Sequence, residues 1–262
     1  MNAQTCCSLL SSTESFAALS NQEDFKRSHE NPLPFTYKSE VGTMVTFDTP
    51  DGQKASAFLL KSAKKSNNWL VVYQEWWGLN DHIKKQAETF YNDLKDVNVL
   101  AVDMYDGKVA TNREDAGKYM QAAKEERLDA IINGMSKYVG KKAKIASVGW
   151  CFGGGLSLKS ALLSEKKAVG CVMYYGMPVK DVAQLKTLNC DVLGLFAAKE
   201  KWISPAVVAD FEQNMKAADK SLTVKSYDAE HAFANPSNPV YDKAASADAY
   251  ALAIDYLRKR LK

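Results

Sequence analysis

The alternation of apolar and polar residues becomes regular at about residue 41. Two short runs with strand-like alternation, residues 43–47 and 55–60, lie on either side of Pro50-Asp51-Gly52. Proline followed by aspartate and glycine is typical of a tight turn between two strands. The pattern therefore predicts a β-hairpin at the start of the regular part of the chain.

Strand-like and helix-like segments then alternate as far as the C terminus. Nearly continuous apolar runs predict six strands, at 70–73, 99–102, 145–149, 169–174, 192–196 and 222–227. Helical spacing predicts helices at about 80–94, 113–138 with a break, 153–164, 205–218 and 241–260. Apolar strands that alternate with helices are typical of parallel strands buried on both faces. We therefore predict an α/β fold with a mostly parallel central sheet and helices on both faces.

The first 40 residues have many small polar side chains and little hydrophobic periodicity. Ser11-Ser12-Thr13-Glu14 has the pattern of a capping box, which predicts a short helix with Phe16 and Leu19 on one side. Asn31-Pro32-Leu33-Pro34 predicts an extended linker, because proline disfavours helix in the residue before it. We predict that residues 1–40 form an N-terminal extension that packs on a main domain of residues 41–262.

The composition excludes several classes of protein. Of the 262 residues, 46% are hydrophobic and 25% are charged, which is typical of globular domains and not of disordered chains. No apolar run is long enough for a membrane span. Basic residues number 34 and acidic residues 31, and a net charge of +3 does not indicate nucleic-acid binding. We expect no nucleic-acid partner, no membrane partner, and a monomer or small homo-oligomer.

The chain starts without the apolar segment of a signal peptide. We therefore expect a cytoplasmic protein by default, or an exported form if a signal peptide was removed before residue 1. The five cysteines are too few for a disulfide scaffold, and an odd number leaves at least one unpaired within the chain. Cys171 falls on a predicted strand and Cys190 just before another, which indicates packing. Cys6 and Cys7 in the extension have no assigned role.

One cysteine lies in a glycine-rich turn between a predicted strand and a predicted helix. Gly149-Trp150-Cys151-Phe152-Gly153 has the spacing of a nucleophile elbow, with cysteine in place of the usual serine. The N-terminus of the following helix would stabilise a thiolate, and the N–H of Phe152 would bind an oxyanion. Two other interpretations remain open, a dinucleotide-binding loop with atypical glycine spacing and a small, inert buried cysteine.

A thiol needs a base, and the chain has only three histidines. His231 follows the last predicted strand, where α/β-hydrolases carry their general base. The loop after the preceding strand has a single acid, Glu200, which we expect to orient the imidazole; Asp191, at the opposite end of that strand, is a weaker candidate. His82, at the start of a helix, and His29, in the extension, have no predicted role.

The loop after residues 70–73 contains Glu75, Trp76 and Trp77. Its position predicts that the N–H of Trp76 supplies a second oxyanion donor beside that of Phe152. Glu75 lies among aromatic residues, and desolvation there would raise its pKa and allow proton exchange with the thiol. The two tryptophans are expected to form the wall of a pocket.

Four segments together resemble the dienelactone hydrolase family, over about residues 41–262. They are Gln74-Glu75-Trp76-Trp77-Gly78-Leu79-Asn80, Asp103-Met104-Tyr105, Gly149-Trp150-Cys151-Phe152-Gly153-Gly154 and His231-Ala232-Phe233. The resemblance implies an α/β-hydrolase fold, a cysteine-histidine-aspartate triad, and no metal or other cofactor. Cys151 and His231 match the triad, whereas Glu200 stands in place of the aspartate.

The resemblance also implies that Glu75 pairs with the thiol and helps to generate the thiolate. Family members hold the carboxylate of dienelactone with arginines, but this chain has Asn235 at one of those positions and Lys108 as the cation nearest to another. The part of the site that would bind a substrate carboxylate therefore differs from that of the family, whereas the reacting groups do not.

We predict a hydrolase for ester or lactone bonds of small molecules, with Cys151 as nucleophile, His231 as acid and base, and Glu200 and Glu75 in support. The N–H groups of Phe152 and Trp76 are expected to bind the oxyanion. The pocket is expected to consist of Trp77, Tyr105, Lys108, Trp202, Phe233 and Asn235. The alternatives are a catalytically weak ligand-binding member of the same fold, or a redox sensor that uses Cys6, Cys7 or Cys151.

Overall fold

The computed structural model of the protein describes residues 11–262. Eight strands form one sheet in the order β1-β2-β4-β3-β5-β6-β7-β8. The strands are β1 (Thr43–Asp48), β2 (Lys54–Leu60), β3 (Asn68–Tyr73), β4 (Asn98–Val102), β5 (Lys144–Trp150), β6 (Ala168–Tyr174), β7 (Val192–Ala197) and β8 (Leu222–Tyr227). β1 and β2 form the predicted antiparallel hairpin, and β3 to β8 are parallel to one another. The predicted α/β architecture is confirmed.

The helices include all those that the periodicity predicted. They are α1 (Ser12–Leu19), α2 (Glu23–Arg27), α3 (Asp81–Leu94), α4 (Arg113–Ala122), α5 (Glu125–Tyr138), α6 (Phe152–Leu163), α7 (Val182–Lys186), α8 (Pro205–Ala217) and α9 (Lys243–Arg260). The sequence did not predict α2 and α7, because five residues are too few for a periodic pattern. Cys6 and Cys7 lie outside the described residues.

The strand order places two loops side by side. From β3 the chain proceeds to β4 on one side, whereas β5 lies on the other side of β3. The loops after β3 and β5 therefore diverge at a topological switch point, where α/β sheets form their binding crevices. The loop that contains Glu75 thus lies next to the turn that contains Cys151.

Helix α9 is fixed to the sheet by its apolar face and by one phenol. Ile254 and Leu257 of the helix, and Leu261 directly after it, are buried. The hydroxyl of Tyr256 donates to the carbonyl of Asp191 at 2.6 Å and accepts the N–H of Cys171 at 3.1 Å. Tyr256 thus joins α9 to the middle of β6 and the start of β7. Within residues 11–262 no helix is both long enough and apolar enough to cross a bilayer.

Replacing Tyr256 with phenylalanine is expected to destabilise the protein. The substitution leaves the buried N–H of Cys171 without its acceptor, which costs roughly 1–3 kcal/mol in the free energy of unfolding. Urea denaturation of Tyr256→Phe would measure the loss. The control is Tyr241→Phe, which changes an exposed phenol. Equal stabilities of the two variants would contradict this role for Tyr256.

Candidate active site

Cys151 occupies a strained turn between β5 and α6. Its backbone has φ 57° and ψ −122°, in the region that side chains rarely adopt. Two neighbouring glycines permit the turn. A Cβ on Gly149 would lie 2.0 Å from the carbonyl oxygen of Gly153, and one on Gly153 would lie 2.3 Å from that of Gln74. The backbone is therefore packed too closely for any side chain at these two positions.

The strained turn places the thiol at the N-terminus of α6, in a buried setting. Cys151 is only 1% exposed. Burial raises the pKa of its thiol, while His231 and the backbone N–H of Phe152 act in the opposite direction. A thiolate is therefore formed here only when a neighbouring group takes up the proton.

His231 and Glu200 lie in the loops after β8 and β7, and both are buried. Nδ1 of His231 is 2.7 Å from Oε1 of Glu200, so the protonated nitrogen donates to the carboxylate. Nε2 of His231 has no hydrogen-bond partner within residues 11–262. Burial lowers the pKa of His231, but Glu200 and the nearby Cys151 together raise it well above its ordinary value.

The alternative acid, Asp191, has other partners at the opposite end of β7. Its carboxylate accepts from Nε of Arg260 at 2.9 Å and from the hydroxyl of Tyr256 at 3.1 Å. These contacts connect α9 to the sheet and do not include His231. Of the two acids that the sequence singled out, only Glu200 contacts the histidine.

Glu75 is buried in the loop after β3, beside the same thiol. Its Oε2 accepts a hydrogen bond from Nδ2 of Asn235 at 2.6 Å. Burial raises the pKa of Glu75 to about 7, against the smaller lowering effects of His231 and Asn235. Asn235, which was expected to contact substrate, therefore binds a protein carboxyl group.

Trp76, Trp77 and Tyr105 surround the turn. The rings of Trp76 and Trp77 are 4.9 Å apart and edge-to-face, and both are buried. The ring of Tyr105 lies 5.9 Å from that of Phe152. These side chains form an aromatic wall next to Cys151.

The other three predicted pocket residues lie in different settings. Nε1 of Trp202 donates to Gln22 of the extension at 3.2 Å. Phe233 is fully buried between Tyr175 and Tyr227. Lys108 is exposed, and its ammonium lies 5.7 Å from the centre of the Tyr119 ring. Within the described residues, the contacts of Lys108 do not include Cys151.

His29, to which the sequence assigned no role, lies directly over the thiol. Its Nε2 is 4.0 Å from Sγ of Cys151. Its Nδ1 is 2.7 Å from the carbonyl oxygen of Phe25, which requires a proton on Nδ1 and leaves a lone pair on Nε2. The ring lies 4.6 Å from that of Trp76 and 5.1 Å from that of His231.

The first two helices cover the site together with His29. Phe16 of α1 packs 6.1 Å from Phe152, and Phe25 of α2 lies 5.5 Å from Trp76. The predicted capping box does open α1, with Glu14 and Ser11 bonded to each other's backbone. The capping box predicted a helix with Phe16 on one side, but nothing in the sequence predicted that this side packs next to the turn that contains Cys151.

A cavity of about 300 Å³ reaches Glu75. Its walls include Glu75, Trp150, Tyr175 and Asn235. Cys151 is not among its lining residues. The open space beside the Glu75–Asn235 pair therefore does not extend to the thiol.

A family model for the dienelactone hydrolase family matches residues 55–261. The chain belongs to this family. Among its relatives is a protein named usf from Aquifex pyrophilus, 28% identical over 235 residues, which cover 84% of this chain and all of that protein. Another is carboxymethylenebutenolidase 1 from Cupriavidus pinatubonensis, 23% identical over 81% of this chain and 95% of the relative. The family is one of hydrolases.

Solved structures share the fold. A dienelactone hydrolase-like promiscuous phosphotriesterase from metagenomic libraries superposes with a TM-score of 0.72 at 20% identity, over 85% of this chain and all of the other. Dienelactone hydrolase from Anabaena variabilis gives 0.60 at 16% identity, over 84% and 98%. These matches show the α/β-hydrolase fold.

The raised pKa of Glu75 predicts a pH dependence of stability. The folded protein holds the Glu75 proton up to about pH 7 and the unfolded chain releases it near 4.5, so the contribution of Glu75 to the free energy of unfolding falls as the pH rises between those values. Burial lowers the pKa of His29 to about 3, which adds a slope of opposite sign over part of the same range. The loss for Glu75 is on the order of 3 kcal/mol. Urea denaturation across this pH range should show the free energy of unfolding of wild type falling by this amount relative to that of Glu75→Gln, in which the contribution of His29 is unchanged.

The matched control for this measurement is Glu212→Gln, which changes an exposed glutamate. Its stability is expected to follow the wild-type dependence on pH. Parallel curves for all three proteins would show that the buried carboxyl does not take up a proton on folding.

Proposed function

We propose that the protein hydrolyses ester or lactone bonds of small molecules through a covalent thioester on Cys151. The observation that carries the proposal is the orientation of His231. Its Nδ1 is bonded to Glu200 at 2.7 Å, and its unpartnered Nε2 belongs to the same buried group as the thiol of the elbow. Membership of the family, and a relative named carboxymethylenebutenolidase, support the class of bond.

The first half of the reaction acylates the cysteine. His231 takes the thiol proton, the sulfur attacks the carbonyl carbon, and the carbonyl π electrons move to the oxygen. The oxyanion then collapses and the bond to the leaving alkoxide breaks. His231 returns the proton to that alkoxide, which leaves as an alcohol or, from a lactone, stays attached to the acyl group.

The second half releases the acid. Nε2 of His231 removes a proton from water, and the hydroxide oxygen attacks the thioester carbonyl. Collapse of this second oxyanion expels the thiolate of Cys151, which takes the proton back. Glu200 keeps the imidazole in the correct tautomer and stabilises its charged form in both halves.

Two backbone groups are proposed to bind the oxyanion. The N–H of Phe152 is at the first position of α6, where the helix dipole adds to its effect. The N–H of Trp76 lies in the neighbouring loop after β3. Each such donor contributes on the order of 3 kcal/mol to the transition state.

The pair of Glu75 and Asn235 indicates an uncharged substrate. An arginine at position 235 would offer a positive charge to a substrate carboxylate. Asn235 has no charge, and its amide N–H donates to Glu75. Lys108 is exposed and lies over Tyr119. We therefore propose a small, neutral, partly apolar ester or lactone, with Glu75 exchanging a proton with the thiol when substrate enters.

Substrate entry requires movement of the extension. In the structure His29 and the two phenylalanines of α1 and α2 cover a thiol that is 1% exposed. The region that must move is residues 11–31. We propose that the structure is the closed form and that catalysis occurs in a form with these residues displaced.

Cys151→Ala is expected to abolish hydrolysis of p-nitrophenyl acetate, because no other described thiol adjoins a base. Acid quenching of the wild type should trap one acetyl group on the peptide that contains Cys151, detected by mass spectrometry. Glu200→Gln should lower kcat by a factor on the order of 10⁴, since the amide favours the wrong tautomer of His231.

Cys190→Ala is the matched control for the thiol, and Glu200→Asp for the carboxylate. The first should retain the wild-type rate, and the second should retain more activity than Glu200→Gln. An inactive wild type, or one as active after loss of Cys151, would refute the proposal and favour a ligand-binding or redox role.

Phe25→Ala is expected to raise kcat/KM for the same ester by roughly tenfold or more, because loss of a buried aromatic ring destabilises the closed form. Leu33→Ala is the control, since that side chain is exposed. Circular dichroism would check that both variants are folded. An unchanged or lower rate for Phe25→Ala would show that the extension does not limit access.

A further inference from the structure

His29, Cys151 and His231 form a compact group of metal-ligand atoms. One ring nitrogen of each histidine and Sγ of Cys151 all lie within 4.8 Å of one another, and all three residues are buried. Two imidazoles and one thiolate are ligands that select zinc and related transition metals over calcium or magnesium. The group shares Cys151 and His231 with the proposed catalytic triad, and its third member is His29 where that of the triad is Glu200.

Both imidazoles are already held in the orientation that a metal requires. Nδ1 of His29 donates to the carbonyl of Phe25, and Nδ1 of His231 donates to Glu200. Histidines that bind metals almost always donate their other N–H to a carbonyl or a carboxylate, which fixes the tautomer. Nε2 of His231 is buried without a partner among the described residues, and Nε2 of His29 faces the sulfur.

The distance between His29 and Cys151 is close to that of a tetrahedral site. Bonds of about 2.3 Å to sulfur and about 2.0 Å to nitrogen put neighbouring ligand atoms roughly 3.3–3.6 Å apart. Nε2 of His29 is 4.0 Å from Sγ, so a shift of about half an ångström brings this pair to the required separation.

We propose that His29, Cys151 and His231 bind a zinc ion, and that this ion locks the N-terminal extension over the active site. The thiol proton leaves to solvent, the sulfur and the two Nε2 lone pairs bind the metal, and no oxidation occurs. His29 belongs to the extension, whereas Cys151 and His231 belong to the main domain. The ion therefore cross-links the two parts and inhibits the enzyme.

The binding of metal does not depend on the proposed hydrolysis, but the inhibition does. The first test therefore measures binding alone. Chelator-treated full-length protein is titrated with Co²⁺, which gives a thiolate charge-transfer band when it binds to cysteine. We expect one Co²⁺ per chain, no band in Cys151→Ala, and affinity weaker by roughly 10²-fold or more in His29→Gln.

Two controls assign the signal. His82→Gln removes a histidine outside the group, and a Cys6→Ser/Cys7→Ser double variant removes both cysteines of the N-terminal extension. Both should bind Co²⁺ with wild-type affinity, and added Zn²⁺ should remove the band. Absence of binding in wild type, or equal affinity in His29→Gln, would overturn the proposal.

The second test detects the cross-link in wild type and does not rely on a variant. Trypsin can cleave after Arg27, an exposed residue two positions before His29. Zn²⁺ should slow this cleavage by tenfold or more, as measured by mass spectrometry of the fragments. The effect should weaken as the pH falls, because protons compete with the metal for the ligand atoms. Cleavage at the same rate with and without Zn²⁺ would contradict the lock, whatever the ester-hydrolysis assay shows.

Discussion

The site depends on the close approach of the backbone at the turn between β5 and α6. Gly153 packs against the carbonyl of Gln74 in one direction and Gly149 in the other. This contact joins the loop after β3 to the turn after β5, so Glu75, Trp76 and Cys151 keep fixed positions relative to one another. The positive φ of Cys151 is the strain that this packing maintains. The loops after β7 and β8 then need only bring Glu200 and His231 to the same edge of the sheet.

The long elements, the family and the contact between Glu200 and His231 could be predicted from the sequence. Strands buried on both faces and helices with a clear apolar side are local patterns, and the parallel order brings the strand ends to one edge. The elbow, His231 and Glu200 follow from residue type and position in chain order. The contact between Glu200 and His231 is therefore a consequence of topology that the sequence already carries.

Other features could not be predicted, because they depend on packing between distant segments. The position of His29 over the thiol requires α2, which is too short for a periodic signal, and requires Phe25 to fit between Trp76 and Trp202. Asn235 was expected in a substrate pocket, but only the folded loop shows that its amide is engaged by Glu75. Pro32 and Pro34 predicted an extended segment, but they did not predict where the residues before that segment pack.

Burial of the nucleophile has a consequence for the chemical lifetime of the protein. A thiolate that peroxide can reach is oxidised in steps, and sulfinic and sulfonic acids are not readily reduced. The aromatic cover formed by Phe16, Phe25 and His29 keeps oxidants in solution away from Cys151 for as long as it stays in place. Under the proposed opening of the extension, each event that admits a substrate also admits an oxidant. The frequency of opening would then set both the rate of hydrolysis and the rate of oxidation, and the ratio of these two rates would set how many turnovers one molecule completes before its sulfur is lost.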